Sequence, residues 1–304
     1  MSKLKVAAIV GPTAVGKTEV AVDVAERVGA EIVSMDSMQL YRGMDVGTDK
    51  APRELRRRVP HHLLDVFPPT HELTVAEFQA LARSAVDDIA GRGKLPLLVG
   101  GSGLYVRAVV DDIRFPPRSP DVRGALEAEA EDLGTRALRD RLRELDPKAA
   151  EKIEPDNDRR TIRALEVIEL TGRPFSENDT WESYESVYDL AIAGIERPRE
   201  ELYARIEARV DRLLAGGLLA EISRLRDMGY GRTAGQALGY RQILEAEPTA
   251  GIADVREEIV RATKRFARRQ GSWFRADPRV RWFEADAVLP RRLEMYFRQA
   301  LATT

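Results

Sequence analysis

The sequence predicts an α/β fold: a parallel sheet flanked by helices, with a small all-helical insertion domain placed within it. Three observations carry that prediction. The apolar run VAAIV at 6–10 passes directly into GPTAVGKT at 11–18 and then into an amphipathic stretch from 19. Further short apolar runs at 31–35, 94–99, 190–195 and 280–283 alternate with helical patterns, as in parallel βαβ units. Between 116 and 186 only helical patterns occur, broken at Gly134, Asp146-Pro147 and Gly172. The expected division is therefore a core of 1–115 and 187–304, with the insertion at 116–186.

The 11–18 stretch is the element around which the rest is arranged. It fits G-x-x-x-x-G-K-[ST], with a strand before it and a helix after it, which makes the core phosphate-loop NTPase-like. Gly11 and Gly16 let the backbone bend so that successive N–H groups point inward at an anion. Pro12, Thr13, Ala14 and Val15 form the span between them. Lys17 supplies a point charge for a terminal phosphate, and Thr18 a hydroxyl for Mg²⁺. The following helix adds its positive N-terminal end. A ligand-free strand–helix turn is the bland alternative, and agreement at eight positions and both flanks weighs against it. The loop alone does not say whose phosphates it holds.

Composition sets the outer limits. At 304 residues the chain can bury a sizeable core, and 43% hydrophobic with 32% charged residues fits a globular protein. A net charge of −2 means that any nucleic-acid affinity must come from local basic patches. The absence of cysteine excludes disulfides, a thiol nucleophile and Cys-based zinc sites. No apolar stretch approaches the ~20 residues of a membrane span, so no membrane partner is expected. MSKLK leads straight into the first strand without room for a leader, so a cytoplasmic, monomeric protein is the expectation.

After the loop, 19–28 reads as a helix closed by Gly29, with Val20, Val24 and Val28 at i+4 steps facing the sheet. The strand 31–35 ends at Asp36. Ligand groups gather at the carboxyl ends of strands in open α/β sheets, which puts Asp36 beside the loop. A turn or N-cap aspartate is the competing reading. The polar segment DSMQLYRGMD at 36–45 and GTDK at 47–50 follow, then the basic 53–58, which reads as a solvated helix face. His61 and His62 lack a third ligand at suitable spacing, so no metal centre is expected there.

A helix over 78–89 leads to the strand 94–99, which ends in GGSG at 100–103. A phosphate-loop protein that hydrolyses ATP usually ends such a strand in a Walker-B aspartate that holds Mg²⁺. Here two glycines stand instead, bringing backbone close to something.

The insertion opens with Ser119-Pro120, an N-cap and first helical residue. Its last helix, 157–170, puts Ile162, Leu165 and Ile168 in one inward arc and Arg159, Arg160 and Arg163 together on the other side. Such a cluster is a solvated face or an anion contact. The chain then returns to strand at 190–195 and to a long helix at 199–215. A Gly-Gly break, a second helix and the GQALGYRQ stretch at 235–242 come next. The helix 254–270 separates Val255, Ile259, Ala262 and Phe266 from Arg261, Lys264, Arg265 and Arg268. Trp273-Phe274 and 280–283 supply a final aromatic strand.

Together these motifs resemble the tRNA dimethylallyltransferase (tRNA isopentenyltransferase) family, bacterial type, over nearly the whole chain. The family's G-P-T-A-x-G-K-T stands at 11–18, D-S-x-Q-x-Y-R-G-M-D-x-G-T-x-K at 36–50, and H-H-L-[LI]-D at 61–65. G-G-T-G-L-Y falls at 100–105, R-x-x-R-A-L-E at 160–166, G-Q-A-I-G-Y-[KR] at 235–241 and W-F-R at 273–275. Ser102 replaces the usual Thr and keeps a hydroxyl. Arg159 stands where many relatives carry Gln, replacing an amide by a guanidinium.

The resemblance implies transfer of a dimethylallyl group from dimethylallyl diphosphate to N6 of the adenine 3′-adjacent to the anticodon of a tRNA. The loop then holds a leaving group, which suits the missing Walker-B aspartate. By the same resemblance, Gly11, Pro12, Thr13, Ala14, Val15, Gly16, Lys17 and Thr18 bind the diphosphate with Mg²⁺, and Arg209, in an R-I-x-x-R segment, adds a contact. Asp36 becomes the general base for N6–H. Ser37, Met38 and Gln39 line the pocket of a flipped adenine. Ser102 touches the tRNA, and Arg123, Arg159, Arg160, Thr161, Ile162 and Arg163 hold the anticodon stem-loop. Three rivals share parts of this pattern. An adenylate isopentenyltransferase would not need the arginine-bearing insertion. A small-molecule kinase fits the loop but not Gly100-Gly101. A non-catalytic RNA-binding module requires neither the complete loop nor Asp36.

Overall fold

Alternation along β1 (Lys5–Val10) decides what lies on each side of the sheet: Val6, Ala8 and Val10 enter one apolar core, Ala7 and Ile9 the other. All five strand residues after Lys5 are buried, as in a strand covered on both faces. The computed structural model describes residues 3–178, 183–247 and 251–302. Among these, β1, β2 (Ala30–Ser34), β3 (His61–His62), β4 (Leu95–Gly100), β5 (Asp189–Glu196) and β6 (Val280–Glu284) form one sheet in the order β3-β2-β4-β1-β5-β6. Every pairing in it is parallel.

Register matters more for the site than length. Val10 pairs with Gly100 and Gly194, and Ser34 with Val99. The carboxyl ends of β1, β2 and β4 therefore finish level, with β4 between the other two. Whatever follows Val10, Ser34 and Gly100 converges on one edge, where parallel sheets hold ligands.

The helix Lys17–Val28 packs on one face together with Leu289–Ala300. Its fully buried residues are Ala21, Val22, Val24 and Ala25, not the Val20, Val24, Val28 stripe read from i+4 spacing. The two alanines let the helix approach the sheet closely, and Val20 and Val28 pack at the margins of that contact. A second correction concerns Trp273 and Phe274. Both belong to the helix Ile252–Ala276, which continues past Gln270 because no proline or helix-ending turn intervenes before Asp277. The last strand holds only Val280–Glu284.

The chain forms two compact units: Met1–Asp111 with Glu185–Thr304, and Asp112–Tyr184. The division falls slightly N-terminal of the 116 and 186 expected. Val187 N–H donates to Val110 O at 2.8 Å, and Asp111 and Ser186 form an antiparallel bridge, so both crossing points belong to the sheet unit. Within the other unit, Pro120–Leu133, Thr135–Leu145, Pro147–Lys152 and Asp158–Thr171 pack around Leu126, Leu138, Leu142, Ile153 and Leu165. Ser119 accepts from Val122 N–H and Asp146 from Ala149 N–H, so both proline-started helices are side-chain capped.

Candidate active site

The loop after β1 is bent by residues on the left-handed side of backbone space: Gly11 (φ 146°), Ala14 (φ 64°) and Gly16 (φ 101°). Gly11 admits no side chain, since a Cβ there would lie 2.6 Å from Ile195 O. Ala14 carries strain of the kind that gathers at ligand sites. Lys17 Nζ donates to Gly11 O at 2.9 Å and Pro12 O at 2.7 Å, closing the loop on itself. Desolvation, and then the Arg209 guanidinium, pull the Lys17 ammonium down to about 7, against the smaller pull of Asp36 and Asp49. A site that disfavours its own cation in this way is built to receive a counter-charge.

Three arginines surround the loop. Arg209 Nη1 donates to Thr13 Oγ1, Arg205 Nε to Ala14 O at 2.8 Å, and Arg197 Nε to Val15 O at 2.9 Å. Arg209 was expected here; Arg197 and Arg205 were not. Positions 205, 209 and 212 share one face of the helix Arg199–Ala215, and Arg212 also lines the cavity. That spacing was a readable signal. Arg209 Nε lies 3.3 Å from Asp49 Oδ2, and Asp49 itself takes a left-handed φ of 51°.

Asp36 follows β2 and reaches the same cavity of about 290 Å³ as Thr13, Ala14, Gly16, Lys17, Thr18, Gln39 and Arg209. Its Oδ1 accepts Met38 N–H at 3.0 Å, capping the 3₁₀ turn Ser37–Leu40. Both readings of this aspartate therefore hold at once. Desolvation raises its carboxyl above the usual aspartate value, while the Met38 N–H, Arg209, Lys17 and Lys50 oppose that rise. Gln39 is fixed from both ends: Ser34 Oγ donates to its Oε1 at 2.8 Å, and its Nε2 donates to Thr48 O at 3.2 Å. Ser37 is buried, and Met38 packs against the core. Ser102 stands at the N-cap of Gly103–Val110 without a capping side-chain bond.

The segment 36–50 is held from far away in the chain. Glu221 accepts the N–H groups of Asp45 (2.8 Å), Val46 (2.9 Å) and Gly47 (3.0 Å). Tyr240, from the GQALGYRQ stretch, occupies the space a side chain at Gly47 would need. Lys50 Nζ donates to Tyr41 O, Asp45 Oδ1 and Asp65 Oδ1 at 2.6–2.7 Å, tying this segment to the 61–65 motif.

Gln270 is a further residue that sequence reading missed. Its side chain is 7% exposed, and its Oε1 accepts the Thr13 N–H at 2.9 Å. It also answers what the Gly100-Gly101 pair approaches. A Cβ at Gly101 would collide with Gln270 Nε2, and one at Gly100 would meet the Met35 backbone.

In the helical unit, Arg159 and Arg160 are exposed, and Thr161 and Ile162 are buried in its core. Arg163, expected outward with its neighbours, turns instead to Pro116 O (2.8 Å), Pro117 O (2.9 Å) and Glu166 Oε2 (2.8 Å). Arg123 pairs with the same Glu166 oxygen at 2.7 Å. Glu166 is fully buried, and its hydrogen bonds from these arginines and from Ser119 N–H outweigh desolvation and lower its carboxyl. The i, i+3 relation of Arg163 to Glu166 explains the turn.

Fold and site define a phosphate-loop α/β protein with a desolvated carboxylate at a neighbouring strand end and none at the end of the strand between. The family model described as IPP transferase matches residues 39–277, and one described as Isopentenyl transferase matches residues 4–60. The chain is 53% identical over 296 residues to a tRNA dimethylallyltransferase of Streptomyces coelicolor, covering 94% of each chain. It is 54% identical over 287 residues to one of Kineococcus radiotolerans, covering 91% of this chain and 90% of that one. Among solved structures it is similar to a tRNA isopentenylpyrophosphate transferase of Bacillus halodurans, at 40% identity and TM-score 0.73 over 99% of this chain and 97% of that one. It is also similar to a eukaryotic dimethylallyltransferase acting on tRNA, at 25% identity and TM-score 0.81 over 98% and 77%. The chain belongs to the tRNA dimethylallyltransferase family.

Proposed function

We propose that the protein transfers the dimethylallyl group of dimethylallyl diphosphate to N6 of the adenine 3′-adjacent to the anticodon in tRNA, releasing diphosphate. The relatives' names supply the substrate class. The observation that carries the chemistry is the sharing of one cavity by Lys17 and Asp36, anion cradle and base after two strands that flank β4.

The loop N–H groups, Lys17 and Arg209 bind the diphosphate and stabilise its charge as the allylic C1–O bond breaks. The bond's electrons stay on the leaving oxygen. The adenine N6 lone pair, otherwise delocalised into the ring, forms the new N6–C1 bond. Asp36 accepts a hydrogen bond from N6–H and then its proton, a step worth typically ~10²–10⁴-fold. Ser37, Met38 and Gln39 shape the acceptor side, with Ser102 at the neighbouring strand end. The exposed Arg159 and Arg160 mark the stem-loop surface of the helical unit, and Arg123, Thr161, Ile162 and Arg163 support it from beneath.

Among the described residues no group of three or more His, Asp or Glu side chains could hold a metal ion. Mg²⁺ needs no such cage where phosphate oxygens and water complete its octahedron, and Thr18 lines the cavity. Thr18 would hold the ion, which supplies charge neutralisation to the leaving diphosphate. No described helix is long and apolar enough to cross a membrane, and the reading is of a monomer acting in the cytoplasm.

The test is incubation with dimethylallyl diphosphate, Mg²⁺ and an anticodon stem-loop RNA, followed by mass spectrometry of the nucleosides. Adenosine carrying one added five-carbon unit is the expected product. Prenylation of AMP with none of the stem-loop would assign the protein to nucleotide prenylation instead.

A further inference from the structure

We propose that Gln270 is a catalytic residue whose side-chain amide donates a hydrogen bond to the oxygen that leaves with the diphosphate. This rests on the transfer reaction proposed above. Three features of its surroundings lead there.

The first is orientation. An amide can be turned either way, but here Oε1 is committed by the Thr13 N–H it accepts at 2.9 Å. The NH₂ group must then face the opposite direction. The second is an unused donor. Gln270 is nine-tenths buried, lines the cavity, and its Nε2 makes no hydrogen bond among the described residues. That nitrogen opens to the cavity, so its N–H groups are free to donate to whatever fills it. The third is position. Nε2 lies over Gly101, directly after β4, where any side chain would displace it. Strand β4 stands between β1, which ends in the phosphate loop, and β2, which ends at Asp36. The bond that breaks lies between the diphosphate on the first and the adenine at the second, so the amide overlooks the point of transfer.

Negative charge develops there on one atom, the ester oxygen of the departing diphosphate. Lys17 and the arginines approach the loop from the β1 and β5 side. Gln270 is the neutral donor on the β4 side. It forms no covalent bond and moves no proton. Its N–H aims where charge grows as C1–O lengthens, and removal of one such donor from an anion site typically costs ~10²–10³-fold in kcat.

Two variants separate this role from that of a strut for Thr13. Gln270→Glu keeps an acceptor for the Thr13 N–H and replaces the NH₂ by an oxygen. Gln270→Met keeps the length and removes both functions. Thermal melting within a few degrees of wild type excludes unfolding as the cause of any loss. The measurements are kcat, KM for each substrate, and affinity for inorganic pyrophosphate in Mg²⁺ buffer. Both variants should lose at least ~10-fold in kcat and bind pyrophosphate more weakly, with KM for the stem-loop unchanged. Wild-type turnover in Gln270→Glu would leave the residue a strut and overturn the proposal. So would an effect confined to the stem-loop KM. If the wild type transfers nothing to the stem-loop, the reaction assignment fails, and the pyrophosphate affinities alone decide whether Gln270 contacts the anion.

Discussion

Tyr240 donates its hydroxyl to Glu221 Oε1 at 2.6 Å, and both side chains are almost entirely withdrawn from solvent. Burial and the carboxylate together hold the phenol protonated far above its ordinary range. The pair is a clamp: through three backbone N–H groups it fixes residues 45–47, next to Asp49, which in turn faces Arg209.

Removing the clamp has unequal costs. Glu221→Ala strands three backbone donors and a hydroxyl, at ~1–3 kcal/mol for each buried group left unpaired. Urea unfolding should show a loss of ~3 kcal/mol or more. Tyr240→Phe leaves the backbone donors satisfied and should cost only about 1 kcal/mol. Equal losses would mean that Glu221 does not anchor the loop.

As the proposed base Asp36 must be a carboxylate, and its site raises the carboxyl above the usual aspartate value. Turnover should therefore rise with pH on an acidic limb displaced upward from that value. Asp36→Asn should lower kcat by at least ~10²-fold and erase the limb. Stability moves the other way. The folded state binds more protons than the unfolded across the displaced window, so this group's contribution falls as pH rises through it, and the Asn variant loses that slope. A limb that persists in the variant assigns it to another group.

Lys17→Ala should raise KM for dimethylallyl diphosphate far more than KM for the stem-loop, because its ammonium sits among loop carbonyls. Steady-state kinetics with each substrate varied in turn will show it. A change confined to the RNA would mean that the loop holds a different ligand.

The arginines of the helical unit divide by their surroundings. Arg159 and Arg160 are exposed, so replacing both by Ala should weaken tRNA binding and flatten its salt dependence, each lost phosphate contact removing about 0.7–0.9 from the slope. Arg163→Ala breaks contacts with Glu166 and two proline carbonyls and should chiefly lower the melting temperature. Affinity measured across a salt series separates the two. Superimposed lines for the Arg159/Arg160 double variant would make those arginines a solvated face.

What could be read in the chain was whatever is local. Apolar runs ending in glycines and an aspartate marked β1, β2 and β4 and, through the strand-end rule, the meeting of the loop with Asp36. The helix Arg199–Ala215 was bounded correctly because its 3.6 periodicity is uninterrupted. Gln270 was invisible because its partner Thr13 is 257 residues away, and Arg197 because Val15 is 182 away. Nothing in a window of neighbours signals such pairs. Arg163 was misdirected because periodicity places a Cβ, whereas a long side chain follows its nearest carboxylate.

Asp111 and Ser186 lie bridged side by side where the chain departs from the sheet unit and comes back to it. A detour that begins and ends at one spot leaves the pairing of β4, β1 and β5 indifferent to how much polypeptide hangs between. The helical unit is thus an exchangeable cassette: its length and surface can drift, or be grafted from a relative, while the catalytic edge keeps its register.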